Sequence, residues 1–497
     1  MAAQSIEISD ILTMGTNVKN NPYFWETNTT PAMKDTSSNI GYVLFLSFVA
    51  ALGGILFGYD TAVISGTTAD VSAQFALSEM SKGWYVGCAL VGSIIGVACA
   101  GMLSDFLGRK KTLIIAAVLF SVSAIGCCLC NGFSDLVAYR IIGGIGIGVV
   151  SIVSPMYISE ISPAKIRGTM VALYQLAVTM GLLLAYLVNY AILSASETAS
   201  YSSAFMQKVM DTEMWRGMLG SESFVTVLFL VVAFVIPESP RWLIVRGRDE
   251  QARRVFRRLK NSEEGVLEEF SATKASVEGE VKSEWKALLE PGIRTAVLLG
   301  SAIAILGQFM GVNAVLYYGP DIFADAGLAS KDSSLSTVLV GLVNMLTTVL
   351  AVFIIDRVGR KKLIYYGVSS MIVCLVLIGL YFMFGSALGI SPVVLLVLFL
   401  LYIFSQAISI SAVVFVLLSE MYPNRVRGIA MSVAGLALWV GTYLIGQFTP
   451  WCMSHLTPAG TFFFFAVMCL PYMYIMWKKI PETTGKSLEE IEMFWKR

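Results

Sequence analysis

Apolar residues run along this chain in long, nearly unbroken stretches, without the alternation of a half-buried strand or the single apolar stripe of a surface helix. A helix needs about 20 such residues to cross a bilayer. Stretches of that length predict spans near 41–66, 82–104, 112–131, 135–159, 168–193, 218–236, 294–324, 334–355, 363–384, 392–418, 428–450 and 460–479. One long polar interval, 237–293, separates the first six from the last six. It carries Arg253, Arg254, Arg257, Arg258 and Lys260, then Glu263, Glu264, Glu268 and Glu269, on an amphipathic helical pattern that belongs in water. The chain therefore reads as an all-α membrane protein of twelve helices: a segment 1–40, a six-helix half 41–236, a helical linker 237–293, a second half 294–480 and a tail 481–497.

Internal repetition supports the division independently. Asp105-Phe-Leu-Gly-Arg-Lys-Lys111 recurs as Asp356-Arg-Val-Gly-Arg-Lys-Lys362, and Glu160-Ile-Ser-Pro-Ala-Lys-Ile-Arg-Gly168 as Glu420-Met-Tyr-Pro-Asn-Arg-Val-Arg-Gly428. Pro237-Glu-Ser-Pro-Arg241 is echoed by Pro481-Glu-Thr-Thr-Gly485. Three pairs in the same order, each about 250 residues apart, point to a duplicated unit, and duplicated halves around a midplane cavity are a recurring transporter design.

Composition adds that the solvent is lipid: 56% of the 497 residues are hydrophobic and 14% charged, with a mean hydropathy of +0.73. The 35 basic and 34 acidic residues nearly cancel, so no net field suggests nucleic acid. Position of charge matters more. The loops after spans two, four, six, eight and ten hold the lysines and arginines, which places them and both termini in the cytoplasm, with the 194–217 loop outside. The eight cysteines lie in or beside apolar runs, without the spacing of a disulfide framework or a zinc site, and no cleavable leader is apparent. No nucleotide-binding loop, metal cluster or nucleophile–base pair is evident, so neither a cofactor nor an enzymatic activity is expected.

Pro237-Glu-Ser-Pro-Arg-Trp242, the two Gly-Arg-Lys-Lys loops, Tyr157-Ile-Ser-Glu-Ile-Ser-Pro163, Gln308-Phe-Met-Gly-Val-Asn313 and Pro481-Glu-Thr-Thr-Gly485 resemble, in order, the signatures of the sugar porter family of the major facilitator superfamily. Within it, Phe57-Gly-Tyr-Asp-Thr-Ala-Val-Ile-Ser65 and Pro155-Met-Tyr-Ile-Ser-Glu160 are most similar to the bacterial proton-coupled D-xylose transporters. The resemblance implies alternating access in a cell membrane and a pentose or hexose as substrate.

The ionisable residues agree with it. Asp60 lies deep in the first span, where an uncompensated charge costs at least about 2.5 kcal/mol, and Arg140 and Glu222 reach compatible depths in spans four and six. Burial favours a neutral carboxyl and a nearby arginine a charged one, so an aspartate in an alternately wet cavity can carry a proton. A static pair that fixes helix register is the other reading. Sugar recognition needs amides, hydroxyls and a flat apolar surface. Gln175, Gln308, Asn313, Tyr317, Asn344, Trp439 and Phe57 supply them, and matching family motifs implies positions at or near a sugar cavity. A cytoplasmic gate is expected from Asp105, Arg109, Arg167, Glu238, Arg241, Asp356, Arg360, Glu420, Arg427 and Glu482, pairing beneath the bundle so as to hold the halves together when the cavity faces outward.

Departures from the family pattern shape the substrate expectation. The usual glutamine pair is Gly307-Gln308, a second glutamine after Gln175 is replaced by Leu182, the Gly-Pro-x-x-Trp of span ten is Ser411-Ala-Val-Val-Phe415, and Leu438 precedes Trp439. The pocket should be less polar, so xylose, another pentose, a hexose, a deoxysugar or a cyclitol all fit. Partners are then a monosaccharide, a proton and the bilayer, acting on a monomer. A facilitative uniporter and a transporter-like sugar receptor remain as alternatives.

Overall fold

The computed structural model describes residues 38–164, 166–196, 201–278, 285–423, 426–482, 491, 494 and 495, apart from the side chains at 285, 356 and 357. Among these residues there is no strand, and twelve helices are long and apolar enough to cross a membrane. They are Ile40–Gly66, Glu79–Leu107, Arg109–Leu129, Phe133–Ile161, Arg167–Ser196, Met214–Ala233, Pro291–Asp325, Ser330–Ile355, Arg360–Phe384, Pro392–Met421, Arg427–His455 and Thr457–Lys478, here spans 1 to 12. Several outrun their apolar cores because polar residues cap them. Ser78, for instance, accepts a hydrogen bond from Ser81 N–H and starts span 2 at Glu79.

The helix of span 2, Glu79–Leu107, and that of span 8, Ser330–Val358, both stop at a glycine in a backbone conformation that only a residue without Cβ adopts easily: Gly108 at φ 96° and Gly359 at φ 94°. The next residue, Arg109 or Arg360, opens the following span, so the repeated motif is a helix-stop and helix-start in one. Its lysine is used alike in both copies. Lys110 Nζ donates to Phe234 O at 2.7 Å and Lys361 Nζ to Ile480 O at 2.8 Å, tying each motif to the end of the last span of its own half.

Within the first half, spans 2 and 4, 1 and 5, 3 and 4, and 3 and 6 pack together; within the second, spans 9 and 12, 7 and 11, 9 and 10, and 8 and 10 do so. Lipid supplies no hydrophobic drive between helices, so close backbone approach has to. Where spans 2 and 4 cross, a Cβ on Gly144 would stand 2.0 Å from Ala89 O, and one on Gly92 2.2 Å from Ile141 O. The polar interval after span 6 forms the short helices Pro240–Val245, Asp249–Leu259 and Glu263–Glu278. It is pinned to the first half by Trp242 Nε1, which donates to Asp105 O at 2.8 Å.

The two halves meet through spans 2 and 11 and spans 5 and 8. The polar contacts that bridge them lie toward the face opposite the Gly-Arg-Lys-Lys loops. There Lys82 of span 2 pairs with Asp321 of span 7 at 2.8 Å, each side chain 22% exposed, and Thr68 Oγ1 donates to Asp321 Oδ2 at 3.2 Å. Nearby, Gln447 Nε2 donates to Met80 O at 2.9 Å and Tyr186 hydroxyl to Leu316 O at 2.9 Å. Asp70 stands beside this latch, and burial, with Asp321 as neighbour, pushes its carboxyl above the usual range. Gln175, near the other end of span 5, is exposed.

Two outcomes follow from this packing. Gly144→Leu should destabilise the detergent-solubilised protein by about 1–3 kcal/mol through overpacking, whereas Gly101→Leu, with nothing within 4 Å of its Cβ, should leave the unfolding midpoint unchanged; equal midpoints would refute the close-approach account. An ion pair partly open to solvent contributes on the order of 1 kcal/mol, so Asp321→Asn should loosen this face without unfolding the protein. Spin labels at Ala69 and Ala329, in a background without competing cysteines, should then show a longer distance component, and the swap Lys82→Asp with Asp321→Lys should remove it. A distance distribution unchanged by Asp321→Asn would mean that the pair bears no closing load.

Candidate functional site

Asp60 lies one turn before the end of the span 1 α-helix, Ile40–Val63, and Arg140 two turns into span 4. Arg140 Nη1 donates to Asp60 Oδ1 at 2.5 Å, and both side chains are 3% exposed. The space is made by Gly143, one turn on from Arg140, where a Cβ would clash with Ser123 Oγ and come within 4.0 Å of the same carboxylate oxygen. Arg140 Nε and Glu222 Oε1 have no hydrogen-bond partner among the described residues, and Glu222 is 2% exposed. Glu222 is held near by its neighbour: Ser221 Oγ and the Tyr59 hydroxyl lie 2.6 Å apart, joining span 6 to span 1 beside Asp60. The structure thus gathers the three predicted ionisable residues around one point, with only Asp60 and Arg140 in contact.

A narrow cavity continues from this pair into the second half, lined by Asp60, Thr61, Ile64, Arg140, Tyr317 and Trp439 among others. Phe57 and Trp439 face each other across the halves with ring centroids 5.6 Å apart and planes tilted by 36°. Span 7 is broken here. Its helices Pro291–Gln308 and Val312–Asp325 are separated at Gly311, φ 90°, and Tyr318 leaves helical geometry two residues before Pro320. Non-helical backbone at membrane depth must be satisfied by other groups, and the Tyr402 hydroxyl donates to Met310 O at 2.7 Å. The break sets Gln308 and Asn313 side by side, with Asn313 Nδ2 donating to Gln308 Oε1 at 2.7 Å.

The remaining candidates divide. Asn344 is buried in span 8, and Gln175 is exposed on span 5 toward the Gly-Arg-Lys-Lys face, away from the tight part of the cavity. Among the described contacts, Arg109 and Arg360 of the expected gate centre two similar clusters, each inside one half. Arg109 makes two bonds to Glu160, at 2.9 and 3.0 Å, and one to Asp105 at 3.2 Å; Arg360 pairs with Glu420 at 3.1 Å. Glu238 Oε1 accepts the backbone N–H groups of Arg109, Lys110 and Ser239, capping the start of span 3 where the helix dipole favours an anion. Burial nonetheless pushes its carboxyl up, against those donors. Arg427 donates to Tyr422 O at 3.3 Å, Arg167 is exposed, Arg241 and Glu482 have partners of their own, and the side chain of Asp356 lies outside the described residues.

Sequence reasoning missed three functional features: the Tyr59–Ser221 link, the Lys82–Asp321 latch, and Thr442, whose hydroxyl lies 3.2 Å from Gln308 Oε1. Each was legible as a polar residue in or beside an apolar run. Its partner, more than a hundred residues away, was not.

Residues 46–495 match the family described as "Sugar (and other) transporter". The chain is 37% identical to the arabinose-proton symporter of Bacillus subtilis over 478 residues, covering 96% of this chain and all of that protein. It is also 37% identical to the D-xylose-proton symporter of Escherichia coli K12, covering 93% of this chain and 97% of that one. Among solved structures, the inward-open conformation of the E. coli xylose transporter superposes with a TM-score of 0.78 at 35% identity, covering 91% of this chain and 100% of that one. The same transporter bound to 6-bromo-6-deoxy-D-glucose gives a TM-score of 0.72 over 92% of this chain and 100% of that one, also at 35% identity. The match runs over nearly the whole chain and both six-helix halves of it, and the chain belongs to the sugar transporter family of the major facilitator superfamily.

Proposed function

We propose that this protein is a proton-coupled monosaccharide symporter working by alternating access, with Asp60 as proton carrier, Arg140 as its counter-charge and Glu222 as an assisting carboxyl. The observation that carries the reading is the Asp60–Arg140 pair, almost fully buried and yet part of the wall of a cavity whose other side is Tyr317 and Trp439. An arginine stays charged, so the group whose charge can follow the wetting and drying of that cavity is the carboxyl. Its relatives' activity supports the same reading, since two are proton symporters of arabinose and xylose.

In this reading the sugar lies against the Phe57–Trp439 ring contact, with Gln308, Asn313, Tyr317 and Asn344 as polar contacts, and Gln175 joins them when the Gly-Arg-Lys-Lys side closes. The absence of glutamine at 307, 182 and 438 removes polar arms, which favours a small pentose, a hexose or a deoxysugar over a larger ligand. The functional units are the halves 41–236 and 294–480, joined by the linker 237–293, in a chain that acts as a monomer. By the positive-inside rule, the basic loops support a cytoplasmic position for that face and for both termini in a cell membrane. The conformation is then inward-facing, in keeping with the higher score of the inward-open relative. The Arg109 and Arg360 clusters act first as braces of each half and, on closure to the cytoplasm, as its gate.

Asp60→Asn should still exchange labelled for unlabelled sugar across proteoliposome membranes, but lose uptake driven uphill by an inward proton gradient. Glu222→Gln should do less, and equal damage would make the two carboxyls a coupled pair. Uphill uptake surviving in Asp60→Asn would assign coupling elsewhere, and wild-type flux indifferent to the pH gradient would make the protein a uniporter. Neutral pentoses or hexoses should raise the thermal unfolding midpoint; stabilisation by sugar phosphates or amino acids alone would overturn the substrate class.

A further inference from the structure

Gln308 presents an amide whose two ends have opposite hydrogen-bonding character, so its orientation decides what the site can read. Its stem is packed against span 11, where a Cβ on Gly441 would lie 3.2 Å from Gln308 Cβ and Cγ. Its carbonyl end is met by two donors: Asn313 Nδ2 at 2.7 Å and Thr442 Oγ1 at 3.2 Å. Thr442 is 5% exposed. It lies one turn from Trp439, as Asn313 lies one turn from Tyr317, so the amide pair adjoins the cavity wall formed by those two aromatics.

Turning both amides over would keep the Gln308–Asn313 bond, with Gln308 now the donor. What separates the two arrangements is the Thr442 proton. Thr442 Oγ1 lies 3.0 Å from Leu438 O as well as 3.2 Å from Gln308 Oε1. Directed at Leu438 alone, the hydroxyl would accept from a turned-over Gln308; shared with Gln308, it donates. Leu438 O, which also serves the helical ladder of span 11, keeps one lone pair for the hydroxyl, and Gln308 Oε1 has lone pairs for both Asn313 and Thr442, so the Thr442 proton is shared between the two oxygens.

We propose that Thr442 is a specificity-positioning residue: with Asn313 it holds the Gln308 carbonyl away from the substrate and turns the Gln308 NH2 toward it, so that this point of the site reads a sugar hydroxyl oxygen as an acceptor. The inference rests on the monosaccharide reading above. It deepens that reading by naming the polarity of one contact. A ring fluorine accepts weakly and cannot donate, and a deoxy position does neither. One ring position should therefore tolerate fluorine and reject hydrogen.

The test takes the tightest-binding member of a panel of neutral pentoses and hexoses, with its monofluoro and monodeoxy derivatives, and measures affinity on the whole protein. Wild type should hold one monofluoro sugar within about threefold of the parent while the matching deoxy sugar weakens about tenfold or more. In Thr442→Val that contrast should shrink at least about threefold, because the amide is free to turn. Thr442→Ser should keep it, and Thr442→Ala should repeat the loss if valine is not accommodated. A variant that weakened all three sugars by one factor would show a packing role only and overturn the proposal. So would a wild type in which fluorine is as poorly tolerated as hydrogen at every position. If no monosaccharide binds at all, the reading of function fails first and this proposal with it.

Discussion

An arginine and an aspartate, each 3% exposed inside a bundle of apolar helices, can remain charged there only together. Removing one partner of such a pair leaves an unpaired buried charge, a penalty of about 3–5 kcal/mol. The Asp60–Arg140 contact therefore fixes spans 1 and 4 at matching depth, and its surroundings follow from it. Gly143 gives up its side chain to make room, Ser221 and Tyr59 bring span 6 alongside, and Glu222 comes to lie close to the pair without bonding to it. A static brace would be better served by a partner for every polar atom. Arg140 Nε and Glu222 Oε1 are left without one among the described residues, which suits groups whose protonation and pairing change in a cycle.

The duplicated sequence becomes a duplicated contact set. Arg109 with Glu160 and Arg360 with Glu420 repeat each other, as do the lysines that tie each Gly-Arg-Lys-Lys loop to the end of its own sixth helix. These contacts brace a half internally, and the polar contacts described between the halves lie at the other face. That division of strength suits rigid-body rocking: many contacts that persist within a half, and a few breakable ones, such as the Lys82–Asp321 pair, between halves. The centres of the halves have diverged. The first holds the buried charges, and the second holds a helix broken at Gly311 that brings the Gln308 and Asn313 amides together.

Divergence also explains the chemistry of the cavity. Its apolar portion, Phe57 against Trp439, joins one ring from each half, so in the proposed function closing the cavity and covering a sugar face would be one motion. The polar portion is sparse, because the positions that would carry further glutamines are Gly307, Leu182 and Leu438. With few hydrogen-bonding arms, the orientation of each counts for more, and Thr442 acquires weight that its hydroxyl alone would not suggest.

Much of this was written in the sequence. Apolar run length sets the number of spans because a bilayer has one thickness, and repeated motifs reveal duplication because they are local strings. Asp60, Arg140 and Glu222 were conspicuous because charge in an apolar run demands a reason. Tertiary structure alone decided who meets whom. Glu238 caps span 3, the Arg109 and Arg360 clusters stay within their halves, Gln175 stands exposed while Asn344 is buried, and Lys82 reaches Asp321, 239 positions further along the chain. Hydropathy and helical period are properties of neighbours along the chain. Distance between spans depends on where glycines let backbones approach and on which of two faces a pair of rigid halves closes, and neither is a local property of the sequence.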